Sequence, residues 1–439
     1  MSKRHYRPPD LDRDHARPRN VPTPSNEAIE ERLAELVNPA SYALTDHYHR
    51  LGLRWRILNL PVMLGLVLAM IWRQVPSIST LAHTLSREGL LWVAPRKASQ
   101  QALSERLRTL PCELFEEVLL TALPKLLARA AARTRPQPAL IARMQARFER
   151  LWIVDATTLE AVFCKVELLR GATEAQLGGK LMGLLDLPSK LPVRLWLDKD
   201  PAANEKSFLD DLVKPLLATG TLLLFDRGFY AFPFFDWLTE HGVSFVTRAR
   251  SLAAFRIERV LVETPLLRDR IIAFGVYRSN PCEYPVRLVE VCVGGLWHSY
   301  LTNVLDRDLL STGDVVELYG RRWRIEESFL IVKRLLGLAY LWTGSFNGVA
   351  MQVWATWLLY AVLIDLSDAV AEELGLPLDQ ISVEMVYRSL YHFAGAYQRG
   401  EARDPVAYLA AQTDLGIVKR RRKYRERARE TRLPSELKL

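Results

Sequence analysis

The sequence predicts an α/β core enclosed by two α-helical regions, and three observations support this prediction. Between residues 148 and 345, short apolar runs alternate with helical patterns, which is typical of an α/β layout. Apolar residues at helical spacing occupy residues 26–147 and 346–418, on either side of that stretch. Hydrophobic residues make up 49% and charged residues 25% of the 439 residues, which is enough apolar material for a substantial core.

Both ends of the chain are basic. Residues 1–25 are charged and contain several prolines, so we expect a disordered arm. Residues 419–439 are expected to form a basic tail, since eight of the eleven residues 419–429 are Lys or Arg. Such a run is usually solvated, but in a protein that acts on DNA it can also bind the phosphates of the DNA backbone. The formal net charge of +9 likewise favours a nucleic-acid partner.

Cysteine usage and hydropathy indicate a cytoplasmic protein without a membrane partner. The sequence contains four widely spaced cysteines, Cys112, Cys164, Cys282 and Cys292. Their spacing fits neither a zinc site nor a disulfide framework, so a reducing compartment is expected. No apolar run typical of a secretory signal follows the basic N-terminus. The apolar stretches 58–72 and 351–366 are predicted to be core helices, the first because it is too short to span a bilayer.

The N-terminal region, residues 26–147, is a candidate for binding DNA ends. Its first helix is predicted over residues 27–37, with Ser25 or Asn26 as the cap. Residues 99–111 form a short amphipathic pattern with arginines on the polar side. No glycine-containing turn of the helix-turn-helix type stands beside this pattern. A solvated helix face is therefore favoured over a DNA-contacting helix.

In the α/β core, periodicity predicts the elements in order. Strands are predicted at 150–155, 180–187, 192–198, 221–226 and 243–249, with the second and third joined as a hairpin. Helices are predicted at 204–220 and 231–242, followed by a β-rich insertion at about 250–300. Residues 311–338 are predicted to form one long helix with Ser311 or Thr312 as its cap.

Two acidic residues follow apolar strands of this core. Asp155 comes after Leu-Trp-Ile-Val, and Asp226 comes after Leu-Leu-Leu-Phe. If the two strands are neighbours, their carboxylates lie about 5 Å apart, and carboxylates that close repel unless a cation lies between them. Mg²⁺ prefers such oxygen ligands. The alternative for either aspartate alone is that it caps a turn.

Four polar residues share one face of the predicted long helix. Tyr319, Arg322, Glu326 and Lys333 fall within an arc of about 60°. An apolar stripe lies beside them: Leu318, Ile325, Phe329, Val332 and Leu336. Glu327 points elsewhere, so we select Glu326.

This face suggests ligands for a cation and for phosphate. Glu326 is a candidate third metal ligand. Arg322 and Lys333 are candidate phosphate contacts, and Tyr319 is a candidate hydrogen-bond donor to a phosphate oxygen. The alternative is that Arg322 and Glu326 form an ordinary helix-stabilising pair and that Lys333 is a surface lysine.

Three blocks of residues, in order, resemble a known family. Asp155-Ala-Thr-Thr-Leu is similar to its first block, with Ala156 as a mild variant, and Asp226-Arg-Gly-Phe matches the second. Tyr319, Arg322, Glu326 and Lys333 match its Tyr-Arg-Glu-Lys pattern at every spacing. Over roughly residues 150–340, the chain thus resembles the bacterial insertion-sequence-four group of D-D-E transposases.

The resemblance implies a ribonuclease H-like core with a β-rich insertion. It implies that Asp155, Asp226 and Glu326 bind two Mg²⁺ ions, with Mn²⁺ as a substitute, and that the enzyme nicks transposon ends and joins the freed 3′-hydroxyl. Its partners would be double-stranded DNA, both inverted-repeat ends and target, and a second copy of the chain in the synaptic complex at the nucleoid. Trp297 and Trp323 are candidates to stack on a flipped base, whereas burial is the commoner state of tryptophan.

Three other functions fit parts of the sequence. One is a ribonuclease H-like nuclease or resolvase that cuts DNA without strand transfer. Another is a catalytically silent, domesticated DNA-binding protein, against which the intact set of three acids argues. The third is a membrane-associated protein built on the two apolar stretches.

Overall fold

The computed structural model describes residues 25–159, 179–200, 203, 208–249, 254–338, 341–343 and 345–419. The predicted N-terminal arm and basic tail lie outside these residues except for Ser25 and Lys419, and Cys164 also lies outside them.

The described strands form a single nine-stranded sheet. They are β1 (Arg150–Leu159), β2 (Gly179–Asp186), β3 (Pro192–Asp198), β4 (Thr221–Phe225), β5 (Ser244–Arg248), β6 (Phe255–Glu263), β7 (Leu267–Phe274), β8 (Val286–Val293) and β9 (Leu296–Thr302). Their order across the sheet is β3-β2-β1-β4-β5-β9-β8-β7-β6. All five predicted core strands and the β-rich insertion are present.

The order and direction of the strands confirm the predicted fold class. β2 is antiparallel to both of its neighbours, β1 and β3, whereas β4 and β5 run parallel to β1. This arrangement of five strands is ribonuclease H-like. The insertion strands β6 to β9 continue the same sheet, since β9 pairs antiparallel with β5. A mostly antiparallel sheet with flanking helices results.

Seven helices precede the sheet in the described part of the chain. They are α1 (Glu30–Ala43), α2 (Thr45–Arg50), α3 (Leu60–Trp72), α4 (Ile78–Arg87), α5 (Gln100–Thr109), α6 (Glu113–Ala132) and α7 (Ala139–Gln145). The predicted cap of the first helix is wrong. A 3₁₀ turn, Asn26–Ala28, separates Ser25 and Asn26 from α1, and the residue before α1 is Ile29, which makes no side-chain cap.

The predicted helix at 204–220 is present in an irregular form in its described part. A π-helical turn, Leu209–Val213, runs directly into a 3₁₀ turn, Lys214–Leu216, and Leu217 is extended. Pro215 supplies a physical reason for the early end, because it has no N–H to continue α-helical hydrogen bonding. The next predicted helix is present as α8 (Phe232–Glu240).

The predicted long helix at 311–338 is interrupted twice. It consists of α9 (Thr312–Arg321), α10 (Trp323–Leu330) and a π-helical turn, Ile331–Leu335. Ser311 rather than Thr312 is the cap, since its hydroxyl accepts from the Asp314 N–H at 3.1 Å. Irregular turns within helices often occur at functional sites.

The helices after the sheet pack against those before it. They are α11 (Phe346–Glu373), α12 (Val383–Gln398) and α13 (Pro405–Ala411). Residues of α1, α3, α6, α11 and α12 join one buried apolar cluster with residues of α9 and α10. By length and hydropathy α11 could cross a membrane, but its apolar window is entirely buried, as in a core helix. The predicted domain boundaries remain a prediction.

A buried ion pair attaches the insertion to the start of α9. Arg287 on β8 donates to both carboxylate oxygens of Asp269 on β7, at 2.8 and 2.6 Å, and neither side chain is exposed. Arg287 also donates to the Leu310 carbonyl at 2.6 Å, and the Thr312 hydroxyl donates to Asp269 at 2.7 Å. The insertion therefore holds the first turn of the helix that leads to Glu326.

Candidate active site

Asp155 lies where the parallel part of the sheet ends. The last parallel pair joins Val154 to Phe225, but β1 continues to Leu159 and pairs with β2, where Asp155 is opposite Gly183. The prediction that the strand ends at Asp155 is therefore wrong, because β2 supplies partners after β4 has stopped. Asp155 does not cap a turn. Its Oδ1 accepts from the next N–H, that of Ala156, at 2.8 Å.

Asp226 is the first residue after β4, next to Asp155 on the neighbouring strand. Strands of one sheet are about 4.8 Å apart, so the two carboxyl groups begin from adjacent positions. One oxygen of Asp226 accepts from the Gly228 N–H at 2.7 Å and caps the 3₁₀ turn Arg227–Phe229. The alternative that Asp226 caps a turn is therefore correct for one of its oxygens. Asp226 nevertheless lies next to Asp155.

Arg322 connects the aspartate on the sheet with the glutamate on the helix. Its Nη1 contacts Asp155 Oδ2 at 2.6 Å, and its Nη2 contacts Glu326 Oε1 at 2.8 Å. Arg322 lies at the interruption between α9 and α10, where its N–H donates to the Tyr319 carbonyl three residues earlier. The ordinary i, i+4 pair with Glu326 is present, but it is part of a bridge to the sheet.

Burial makes Asp155 an unusual carboxylic acid. The pKa of Asp155 is raised to about 7, and loss of solvent is the largest cause. The neighbouring Arg322 guanidinium acts in the opposite direction, and the negative charges of Asp226 and Glu326 add to the increase. A carboxyl group with such a pKa exchanges its proton near neutral pH. Shifts of this kind are common at functional sites.

The structure distinguishes Glu326 from its neighbour. Glu326 faces Arg322 and the sheet, with a third of its side chain exposed. Glu327 instead pairs with Arg324 at 2.7 Å and is 52% exposed. All five residues of the predicted apolar stripe are buried: Leu318, Ile325, Phe329, Val332 and Leu336. The helical geometry used in the sequence analysis therefore orients α10 correctly.

The other two residues of the polar face contact the sheet at different points. The Tyr319 ring lies 5.3 Å from the Tyr300 ring of β9, and burial raises the pKa of its phenol. Lys333, in the π-helical turn, donates to the Thr157 hydroxyl at 2.6 Å and to the Thr158 carbonyl at 2.7 Å. Lys333 thereby joins the π-helical turn that follows α10 to β1, just beyond Asp155.

Both candidate tryptophans are accessible. Trp323 is 58% exposed and lies beside Arg322, whose guanidinium carbon is 5.4 Å from its ring centroid. Trp297 is 38% exposed near the β8–β9 turn, where the Arg268 guanidinium covers its ring at 4.3 Å. The alternative that these residues are buried in the core is wrong for both.

Arg248 is a candidate that the sequence analysis missed. It ends β5, the third parallel strand, one strand away from Asp226. It contacts His298 Nδ1 at 3.2 Å, and its charge acts on the phenols of Tyr300 and Tyr319. The signal was available, because the reasoning that selected acids at the ends of parallel strands applies equally to a base at the end of VSFVTR.

The three acids have suitable chemistry for a divalent cation, since Mg²⁺ and Mn²⁺ take carboxylate oxygens. Their arrangement differs from a ligand cluster. Within the described parts of the chain, no three His, Cys, Asp or Glu residues are grouped closely enough to hold a metal ion. Arg322 takes up an oxygen of Asp155 and an oxygen of Glu326 instead.

Comparison with known proteins agrees with this geometry. Residues 146–362, which include Asp155, Asp226, Arg322 and Glu326, match a family model described as the transposase DDE domain. A search of curated proteins found no match. DDE transposases are metal-dependent enzymes that transfer phosphoryl groups on DNA. The family match, together with the ribonuclease H-like sheet, supports a DDE transposase.

Proposed function

We propose that this protein cuts and joins DNA at the ends of an insertion sequence, as a cut-and-paste transposase that depends on Mg²⁺. One observation carries the proposal: Arg322 contacts both Asp155 and Glu326. These contacts lie beside Asp226, where the parallel pairing of β1 with β4 ends in a ribonuclease H-like sheet. Three acids and a base that converge there suit the transfer of a negatively charged phosphoryl group. The membership of this chain in the insertion-sequence-four group is part of the proposal.

Asp155, Asp226 and Glu326 are the residues that would hold the cation. A divalent cation at these carboxylates supplies Lewis-acid activation of the attacking oxygen and stabilises the leaving oxygen. The binding of two Mg²⁺ ions, for which Mn²⁺ can substitute, is inferred from the family resemblance.

Arg322 and Arg248 are proposed to hold phosphate oxygens, with Tyr319 as a further donor. A guanidinium presents paired donors in a plane, which suits a phosphate better than a point charge does. Arg248 is supported by its position at the end of β5 next to Asp226. Lys333 is proposed as a phosphate contact from the resemblance, and its bonds to Thr157 and Thr158 support a second role in orienting β1.

A second surface is proposed to bind the DNA ends. Residues 51–110 contain eight Lys or Arg and two Glu, whereas residues 111–418 contain 33 Lys or Arg and 37 Asp or Glu. Residues 51–110, which include α4 and α5, therefore have a net charge of +6, whereas residues 111–418 have a net charge of −4. Such a concentration suits a duplex, whose phosphates dominate binding.

The shape of this region supports the same role. α4 and α5 pack through buried leucines, and a groove of about 560 Å³ between them is lined by Ser79, His83, Ser86, Lys97, Ser99 and Gln100. Gly89, with a φ of +74°, turns the chain directly after α4, and residues 90–99 separate it from α5. The basic composition and the groove favour the DNA-contacting alternative for α5, with Gln101 and Arg108 on its exposed side.

The remaining parts of the proposal concern assembly and location. Exposed Trp323 and Trp297 are proposed to stack on an extruded base, as aromatic rings do in other enzymes that remove a base from the duplex. Two copies of the chain would hold two DNA ends in one complex. The protein would act in the cytoplasm, on the nucleoid.

The proposal is tested with purified protein, Mg²⁺ and DNA that carries the terminal inverted repeats flanking its own gene. We expect nicking followed by strand joining. Asp155→Asn, Asp226→Asn and Glu326→Gln should each lower both reactions by about a thousandfold or more while end binding is retained, because each removes a ligand charge needed in the transition state.

Glu327→Gln is the matched control, since it changes the adjacent, exposed glutamate. It should retain at least about half of the activity. Cleavage without joining would support the nuclease or resolvase alternative instead. End binding without cleavage would support the silent DNA-binding protein. Full activity of the Glu326→Gln variant would exclude our site assignment.

A further inference from the structure

The guanidinium of Arg322 takes up oxygens that the proposed cation needs. Its two terminal nitrogens contact Asp155 Oδ2 at 2.6 Å and Glu326 Oε1 at 2.8 Å. The second oxygen of Asp155 already accepts the Ala156 N–H at 2.8 Å. An arginine in this position pairs with two of the three acids, so it competes with a cation for the same carboxylates.

Arg322 is not completely satisfied where it lies. Its side chain is 7% exposed, and its Nε is buried without a hydrogen-bond partner. A buried donor without a partner carries a desolvation cost, which weakens the net attachment of the group. The aromatic rings of Tyr319 and Trp323 lie within 6 Å of the guanidinium, so it also has cation–π neighbours on the open side of the site.

A phosphate oxygen pair offers Arg322 a different partner. Guanidinium groups bind phosphates through paired hydrogen bonds, at least as well as they bind carboxylates. We propose that Arg322 couples DNA binding to cation binding: in the free protein it bridges Asp155 and Glu326, and a DNA phosphate draws it away so that both carboxylates become available. This inference rests on the proposed function and adds an order to it, with DNA promoting the uptake of the cation.

Coupling of this kind must be reciprocal. If DNA strengthens cation binding by a given factor, the cation strengthens DNA binding by the same factor, and such factors are typically about 5 to 150. The inference therefore makes a quantitative statement about binding that is independent of turnover.

The test measures Mn²⁺ affinity of the purified full-length protein by electron paramagnetic resonance at about pH 8.5, where Asp155 is ionised. Without DNA, Arg322→Gln should bind Mn²⁺ about tenfold more tightly than the unmodified protein. Arg324→Gln is the matched control. Arg324 lies on the same helix and pairs with Glu327 and Asp379, so its removal changes the charge equally without releasing Asp155 or Glu326.

The second part of the test repeats the titration with a duplex of the terminal repeat. In the unmodified protein and in Arg324→Gln, DNA should raise Mn²⁺ affinity by at least about tenfold more than it does in Arg322→Gln. Equal gains in all three proteins would overturn the inference. So would equal affinities of the two variants without DNA. Arg322→Lys keeps the charge but loses the fork that contacts both carboxylates. Without DNA, its Mn²⁺ affinity should therefore lie between those of the unmodified protein and Arg322→Gln, and it serves if the glutamine variant does not fold.

Asp155→Asn separates failure of the inference from failure of the proposed function. If the unmodified protein cleaves DNA, and Asp155→Asn loses both Mn²⁺ binding and cleavage, the proposed site stands and only the coupling is under test. If the unmodified protein with DNA neither binds Mn²⁺ nor cleaves, the proposed function itself is wrong.

Discussion

Arg287 and Arg322 both bind aspartate carboxylates, yet their surroundings differ. Arg287 is fully buried with Asp269, and its nitrogens contact two carboxylate oxygens and a backbone carbonyl. Arg322 divides its contacts between Asp155 and Glu326, has a buried Nε without a partner and lies next to exposed Trp323. The first cluster holds the insertion on α9, and the second lies in the candidate active site.

A contact between an arginine and an aspartate can therefore stabilise the fold in one place and exchange its partners in another. A buried ion pair is retained when every donor and acceptor has a partner, since breaking it leaves a charge without compensation. A cluster in which one donor has no partner, and one side faces solvent, can exchange partners at a lower cost in free energy. The following predictions test this contrast, beginning with the largest effect.

Removal of the buried arginine should have the largest effect on stability. Arg287→Met leaves the Asp269 carboxylate buried without its partner, so we expect the free energy of unfolding to fall by about 3–5 kcal/mol. Arg322→Gln should cost less than about half of that, because Asp155 can take up a proton near neutral pH. Urea unfolding followed by circular dichroism measures both.

An apolar replacement sharpens this prediction. Asp269→Leu combined with Arg287→Met removes both charges, and buried ion pairs exchanged for apolar residues often retain stability. The double variant should therefore recover at least about half of the loss. Equal losses for Arg287→Met and Arg322→Gln would show that the two clusters do not differ as described.

The pH dependence of cleavage should report the protonation of Asp155, which belongs to the Arg322 cluster. Because burial raises the pKa of Asp155 to about 7, its carboxylate form is lost as pH falls below that value. Cleavage should then decline about tenfold per pH unit below 7. Folding stability follows the opposite sign: the folded protein holds the Asp155 proton more tightly than the unfolded chain, so this residue's contribution falls as pH rises from about 4 to about 7.

Arg322→Gln should move the midpoint of the pH profile upward, because it removes the positive charge that lowers the pKa of Asp155. Single-turnover rates between about pH 5.5 and 9 measure the shift. Arg324→Gln should leave the midpoint within about 0.3 units. A profile without a decline near neutral pH would remove Asp155 from the reaction.

The smallest expected effect concerns the surface remote from both clusters. Arg108→Ala should weaken DNA-end binding about three- to tenfold and lower the slope of binding against salt concentration by about one. Arg399→Ala is a matched control, since both arginines are exposed and paired with a glutamate, Glu105 and Glu401. Equal effects of the two variants in fluorescence anisotropy would show that α5 does not face the DNA.

Local patterns accounted for much of the fold and part of the site. The five core strands and the buried face of α10 followed from apolar periodicity, because a strand or helix must bury a regular set of side chains. Asp155, Asp226 and Glu326 were selected by the same reasoning. The helix expected at 204–220 is irregular in its described part and ends after Leu216, because the apolar pattern had outweighed Pro215, which cannot donate a helical hydrogen bond.

Contacts between distant residues were beyond the reach of these patterns. Arg248 and Asp226 are 22 positions apart, and only the order of β4 and β5 makes them neighbours. The extension of β1 past Asp155 depends on β2, and the interruption at Arg322 accompanies its contact with Asp155 on the sheet.

Side-chain spacing along single elements was enough to predict the fold class, the strands and the face of α10 that carries Glu326, because each depends on one element. How the charged groups pair depends on the packing of these elements against each other. Arg322 has Glu326 one turn away and Asp155 on a separate strand, and bridging both requires the packing of α10 against β1. The partners of a charged side chain depend on distances in space, which the order of residues along the chain does not specify.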